Sequence, residues 1–166
     1  MKKLTYFILL FFLLSCREEK TRLNVGEIVY DAELDAQDFE LCNEKKVPEY
    51  YGRVVEGKPA TYSGEMYEVY KKYDGVDAQE ITGENGYITI RFIVNCHGKS
   101  GRFRVQEMGF DYKPKRFDPE LVEQLLAITK SLDGWIPPVD HGGTAYDFYQ
   151  YLSFRIENGN LTNIMP

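Results

Sequence analysis

The sequence contains few of the residues that most often carry catalytic or metal chemistry. Among its 166 residues there are only two histidines, three cysteines and one tryptophan. No Cys-x-x-Cys or His-x-x-x-His pair is present, so the spacing that many zinc sites use is missing. No Gly-Lys-Ser/Thr follows the glycines at 83 and 86 at the spacing of a phosphate-binding loop, which excludes such a loop there. We therefore expect no metal site and no cofactor.

The chain also lacks an excess of positive charge. Lys and Arg number 20 against 26 Asp and Glu, which gives a formal net charge of −6. An acidic surface without a Lys/Arg patch repels phosphate backbones and anionic lipid headgroups, so we expect no nucleic-acid partner. Glycine, proline and apolar residues are at ordinary levels, which excludes a collagen-like or fully disordered chain and favours one globular core.

Long hydrophobic runs are missing too, because the most apolar stretch, Leu4–Leu14, is shorter than the roughly 20 residues of a spanning helix. Two lysines precede this stretch, as in a secretory signal. Its end, Leu13-Leu14-Ser15-Cys16, resembles the bacterial lipobox, in which the cysteine is lipidated and becomes the mature N-terminus. We therefore expect residues 1–15 to be removed and Cys16 to carry a membrane anchor outside the cytoplasm. A plain signal peptide with a chance cysteine is the alternative.

A polar stretch, residues 17–24, follows Cys16 and is expected to be a solvated tether. Its Arg17-Glu18-Glu19-Lys20 is similar to the acidic stretch after the lipid cysteine of surface-exported Bacteroidetes-type lipoproteins. The anchor predicts a place in the cell envelope, at the outer membrane, with both the periplasmic and the surface face left open. After the tether we expect an N-terminal extension at 25–60 and one domain at 61–166.

Three interpretations of Cys42 and Cys96 remain open. Once Cys16 is assigned to the lipid anchor, two cysteines remain, and an even number in an oxidising compartment favours one disulfide. In the chain-entropy model, closing this loop stabilises the fold by about 4 kcal/mol. Two buried free thiols are the second interpretation. The third is a thiol site of Cys96 with His141 and Asp140, or a zinc site that adds His97. Both histidines lie in glycine-flanked stretches typical of solvated loops, so we expect no catalytic residue.

Periodicity along the chain predicts an α+β fold. The predicted elements are a helix from Ser63 to Tyr73, a strand over 86–95, its hairpin partner over 102–107, a helix from Pro119 to Leu132 and a final strand pair around Asn158-Gly159. Ser63 and Asp118 are the expected N-caps. We expect an antiparallel sheet of three or four strands with the Pro119–Leu132 helix packed on one face.

The order of these elements is similar to that of the TonB C-terminal domain. The matching segments are Gly86–Asn95, which resembles that family's Gly-x-Val-x-Val-x-Phe-x-Val strand, the turn at Gly98, the helix Leu121–Leu132, Trp135-Ile136-Pro137 for Trp-x-Pro, and the terminal strand Leu152–Ile156. The resemblance covers residues 60–166. It implies a sheet with one long helix packed on one face. It also implies that a protein partner binds at an exposed sheet edge, in connection with transport across the outer membrane.

The segment before this domain differs from that of a TonB energy transducer, which has an inner-membrane helix and a long Pro-rich spacer. Here a lipobox signal comes first, and a tether of about eight residues extends at most about 28 Å. We therefore expect a binding role rather than force transmission from the inner membrane. In such binding an extended peptide adds to an unpaired sheet edge.

Tyr149 and Tyr151 are the candidate partner-binding residues, because they share one face of the last long strand and exposed tyrosines favour binding. Packing inside the fold is the alternative for both. We expect a non-enzymatic envelope lipoprotein that binds a protein partner. A Cys/His-dependent thiol enzyme and a structural lipoprotein without a dedicated partner are the alternative functions.

Overall fold

The structure is a computed structural model that describes residues 27–43, 47, 57–76 and 83–165. The expected signal, Cys16 and the tether lie outside the described residues. Among the residues it describes, no helix is long and apolar enough to cross a membrane. The elements in chain order are β1 (Gly57–Lys58), β2 (Thr61–Tyr62), α1 (Glu65–Lys71), β3 (Gly86–Val94), β4 (Ser100–Met108), α2 (Pro119–Lys130), β5 (Trp135–Ile136), β6 (Val139–Asp140), β7 (Phe148–Glu157) and β8 (Asn160–Met165). The fold is α+β, as predicted, with two short helices of 7 and 12 residues.

A four-stranded antiparallel sheet in the order β4-β3-β7-β8 forms the centre of the molecule. β3 pairs with β7 along its whole length, from Gly86 opposite Ile156 to Val94 opposite Phe148. Asn158 and Gly159 both have positive φ, 51° and 80°, so the β7–β8 turn has the primed geometry that the Asn-Gly pair favours. Two short antiparallel pairs, β1–β6 and β2–β5, join the chain before α1 to the chain after α2.

Alternation along β3 and β7 places their largest apolar side chains on one face of the sheet, where α2 packs. The fully buried members of this main core include Ile88, Ile90 and Phe92 of β3, Leu152, Phe154 and Ile156 of β7, and Leu125 of α2. Each such side chain contributes about 1.5–3 kcal/mol by leaving water. The main core therefore holds α2 against the sheet.

The opposite face of the sheet carries a second, smaller core. Ile93 of β3 and Tyr149 of β7 pack there against Ile28 and the partly buried Phe39 and Leu41 of the N-terminal extension. A Cβ on Gly101 of β4 would clash with the Phe39 ring, so this glycine allows the extension to approach the sheet. Residues 27–43 of the extension thus lie over one end of this face.

The N-terminus of α2 agrees with the sequence prediction. Asp118 Oδ1 accepts the backbone N–H of Glu120 at 2.8 Å and of Leu121 at 3.4 Å, and proline occupies the first helical position. The helix ends at Lys130 rather than Leu132, because Leu132 N–H bonds the carbonyl of Thr129 in a tighter last turn.

The prediction for α1 was wrong at both ends. The helix begins at Glu65 with Gly64 as N-cap, in a left-handed conformation with φ 79° and without a side-chain cap bond. Ser63 is not the cap, because its backbone N–H bonds Gly134 O at 2.8 Å beside the β2–β5 pair. The helix ends at Lys71, and the chain to Tyr73 continues in tighter turns.

Candidate functional site

Cys42 and Cys96 form a disulfide that joins the N-terminal extension to the β3–β4 hairpin, across a sequence separation of 54. The prediction of one disulfide is confirmed. Asp147, 1% exposed, lies beside it and accepts three backbone N–H groups, from Cys42 at 3.1 Å, Asn43 at 2.8 Å and Cys96 at 2.9 Å. These charge-assisted bonds satisfy a carboxylate that would otherwise be costly to bury.

His97 is the histidine nearest the disulfide, with a ring nitrogen within 4.8 Å of both sulfurs. Zinc binding and nucleophilic attack both need a thiolate, and here the two sulfurs are bonded to each other. His141 is exposed in the turn after β6, where Asp140 Oδ1 accepts the backbone N–H of Thr144 at 2.9 Å. The side chain of Asp140 thus stabilises its own turn, and this oxidised form gives the thiol interpretation no nucleophile.

The two candidate tyrosines occupy different environments. Tyr149 is 4% exposed in the second core, and its hydroxyl accepts the backbone N–H of Ile28 at 3.4 Å. The interpretation of Tyr149 as a residue that contacts a partner is corrected, because the N-terminal extension covers it. Tyr151 is half-buried and lies opposite Arg91 of β3. A binding role for Tyr151 stays a prediction.

An ion pair holds the extension to the edge strand β4. Arg104 donates to both carboxylate oxygens of Asp35, at 2.7 and 2.8 Å, and also to the carbonyl of Val29 at 2.7 Å. The Asp35 side chain is buried, and its hydrogen bonds from Arg104 hold its pKa below the usual range. The bidentate geometry makes this contact specific as well as strong.

The outer edge of β4 is occupied at its C-terminal end. The backbone N–H of Lys115 bonds Glu107 O at 3.1 Å, and Met108 forms a bridge with Pro114. The Glu107 carboxylate accepts the N–H of Phe117 and pairs with Arg116, both at 2.7 Å. These contacts and the charged side chains on β4 disfavour addition of another strand there.

The outer edge of β8 has a different character. Among the residues that the structure describes, no strand pairs with this edge. β8 contains neither a charged residue nor a proline, which are two of the features with which proteins protect an edge. Thr162 and Asn163 are exposed in the middle of β8, where the pairing register with β7 shifts between Arg155 and Ile156. β8 is therefore the better candidate for strand addition.

A cavity of about 350 Å³ borders β8 on the side of α1. Its lining residues are Tyr70, Tyr73, Asp74, Gly75, Val76 and Leu161 to Ile164. Burial raises the pKa of Tyr73, whose neutral hydroxyl bonds Thr129 Oγ1 at 2.8 Å. The cavity lining is more polar than apolar and includes the carboxylate of Asp74, so it suits a single polar side chain of a peptide that pairs with β8.

Neither this cavity nor the second core could be predicted from the sequence pattern. Both bring together residues far apart in the chain, such as Tyr73 with Ile164 and Ile28 with Tyr149. Comparison of the chain with protein-family models, with curated proteins and with solved structures finds no match in any of the three.

Proposed function

We propose that the chain is a non-enzymatic lipoprotein of the cell envelope that binds an extended segment of a protein partner at β8. The observation that carries this proposal is an edge strand with neither charge nor proline, beside a cavity of about 350 Å³. Main-chain hydrogen bonds to β8 supply the affinity of such a complex. A side chain of the partner in the cavity supplies the selectivity.

The arrangement of the central sheet supports the likeness to the TonB C-terminal domain. The β3–β4 hairpin is followed by α2, and β7 then returns beside β3. Gly86, the first residue of the matching segment, has φ 147°, and a Cβ there would clash with the carbonyl of Met108. The positive φ and the close approach to Met108 therefore explain why glycine occupies this position. The likeness links the proposed binding to transport across the outer membrane.

Anchoring at Cys16 is the part of the proposal that places the domain. Metabolic labelling with a fatty-acid analogue should mark the mature protein and should leave a Cys16→Ser variant unlabelled. If the wild-type protein takes up no label, the proposed anchoring in the envelope is contradicted. The proposed binding edge on β8 is tested by a separate experiment.

The binding edge is tested by site-specific photocrosslinking in intact cells. A photoreactive amino acid replaces Asn163 on β8, and in a control protein it replaces Gln124, which is exposed on α2. We expect one discrete adduct with an envelope protein from position 163 and none from position 124. No adduct from 163, or the same adducts from both positions, would contradict strand addition at β8.

A further inference from the structure

A cluster of aromatic rings lies on the sheet face opposite α2, at the far end from the second core. Tyr87 of β3 lies directly opposite Arg155 of β7. The loop after β4 folds over both, with the Phe110 ring 5.2 Å from that of Tyr87 and Arg155 Cζ 4.9 Å from the Phe110 centroid. The Tyr112 ring is nearly parallel to Tyr87, at 6.5 Å and 19°. We call Tyr87, Phe110, Tyr112 and Arg155 the aromatic platform.

The loop presents its aromatic rings to solvent at a conformational cost. Tyr112 is 74% exposed and Phe110 is 38% exposed. Tyr112 has φ 61°, in the left-handed region that bulky residues rarely adopt, at a cost of about 1–3 kcal/mol. Backbone bonds from Gly109 N to Lys113 O at 2.9 Å and from Tyr112 N to Gly109 O at 3.0 Å hold this conformation. The strain is not explained by burial, because the ring that it positions stays in water.

The charged side chains around the platform are paired. Arg155 bonds Glu157 at 2.6 Å, and Lys113 lies 3.3 Å from Asp111. These two cations and two carboxylates cancel in formal charge, and the whole chain is acidic at −6. The surroundings of the platform therefore offer both hydrogen-bond donors and hydrogen-bond acceptors. Because their formal charges cancel, they do not favour an ionic ligand.

We propose that the aromatic platform binds a neutral saccharide. The C–H face of a pyranose ring packs on an exposed aromatic ring, and its hydroxyl groups both donate to carboxylates and accept from guanidinium or ammonium groups. A peptide strand is the less suitable ligand here. The platform lies on the face of the sheet, where the main-chain groups of β3 and β7 already bond their neighbouring strands. The proposal is independent of the partner-binding edge on β8.

The test is affinity electrophoresis of the detergent-solubilised full chain in gels that contain starch, xylan, mannan or mixed-linkage β-glucan. We expect at least one polysaccharide to retard the wild-type protein. Tyr112→Asn should weaken that retardation at least about tenfold, because it removes the ring and asparagine tolerates the left-handed conformation. Tyr112→Phe should retain it.

Tyr67→Ala is the matched control, since Tyr67 is 66% exposed on α1 and outside the platform. It should leave retardation unchanged, as should Asn163→Lys on β8. The proposal would be overturned if none of the four polysaccharides retarded the protein. The same result is expected if the platform binds a peptide instead. An equal loss from Tyr67→Ala and Tyr112→Asn would also overturn the proposal.

Discussion

Asp147 shows how one buried side chain supports a whole segment. Its carboxylate accepts three backbone N–H groups around the disulfide. Asp147→Asn replaces one oxygen with an amide group that cannot accept, so at least one of these partly buried N–H groups loses its partner. We expect the free energy of unfolding, measured with urea, to fall by about 1–3 kcal/mol. The exposed control Asp111→Asn should change it by less than about 0.5 kcal/mol. Wild-type stability in Asp147→Asn would contradict the role given to this carboxylate.

The ion pair between Asp35 and Arg104 predicts a pH dependence of stability. Arg104 lowers the pKa of Asp35 in the folded protein. The stabilisation is therefore complete above the unfolded-state pKa of about 3.9 and is lost as the pH falls through the lower folded-state value. Urea denaturation should show a constant gap between wild type and Asp35→Asn from about pH 7 to pH 5, and a shrinking gap below about pH 4. A gap that stays constant or widens in acid would contradict the assignment.

At the scale of elements, the two residues expected to cap the helices should differ in their contribution to stability. Asp118→Ala removes the side chain that accepts the first N–H groups of α2. The free energy of unfolding should therefore fall by about 1 kcal/mol. Ser63→Ala should be neutral within about 0.5 kcal/mol, because only the backbone of Ser63 is used, in its bond to Gly134. Thermal or urea denaturation compares the two variants. A larger loss from Ser63→Ala than from Asp118→Ala would invert the described cap assignments.

The elements also show how far local patterns reach. The alternation in β3 and β7 and the cap of α2 depend on residues close together in the chain, so the sequence predicted them. The start of α1 depends on Gly64 and Glu65, both with positive φ, and on a bond from Ser63 to a residue beyond α2. Alternation separates Tyr149 from the main-core face of β7, and the residue that covers it, Ile28, is 121 positions away. Such non-local contacts leave no periodic signal in one sequence.

On the scale of the whole molecule, the disulfide and the second core attach the N-terminal extension to the central sheet. Thiol titration of a denatured Cys16→Ser protein should find no free thiol before reduction and two afterwards, since Cys42 and Cys96 are bonded. The Cys42→Ser/Cys96→Ser double variant should lose about 4 kcal/mol of stability. Two free thiols before reduction would contradict the fold described and would restore the nucleophile that a thiol enzyme needs.

The proposed addition of a partner strand at β8 depends on the architecture of the whole molecule. Its most direct test is recovery of the partner from crosslinked envelopes with wild type, Asn163→Lys and Gln124→Lys, all tagged and equally expressed. The two variants add the same charge at exposed positions, but only the first protects the edge against strand pairing. We expect Asn163→Lys to recover at least about tenfold less partner and Gln124→Lys to match wild type. Equal recovery from all three proteins would contradict it.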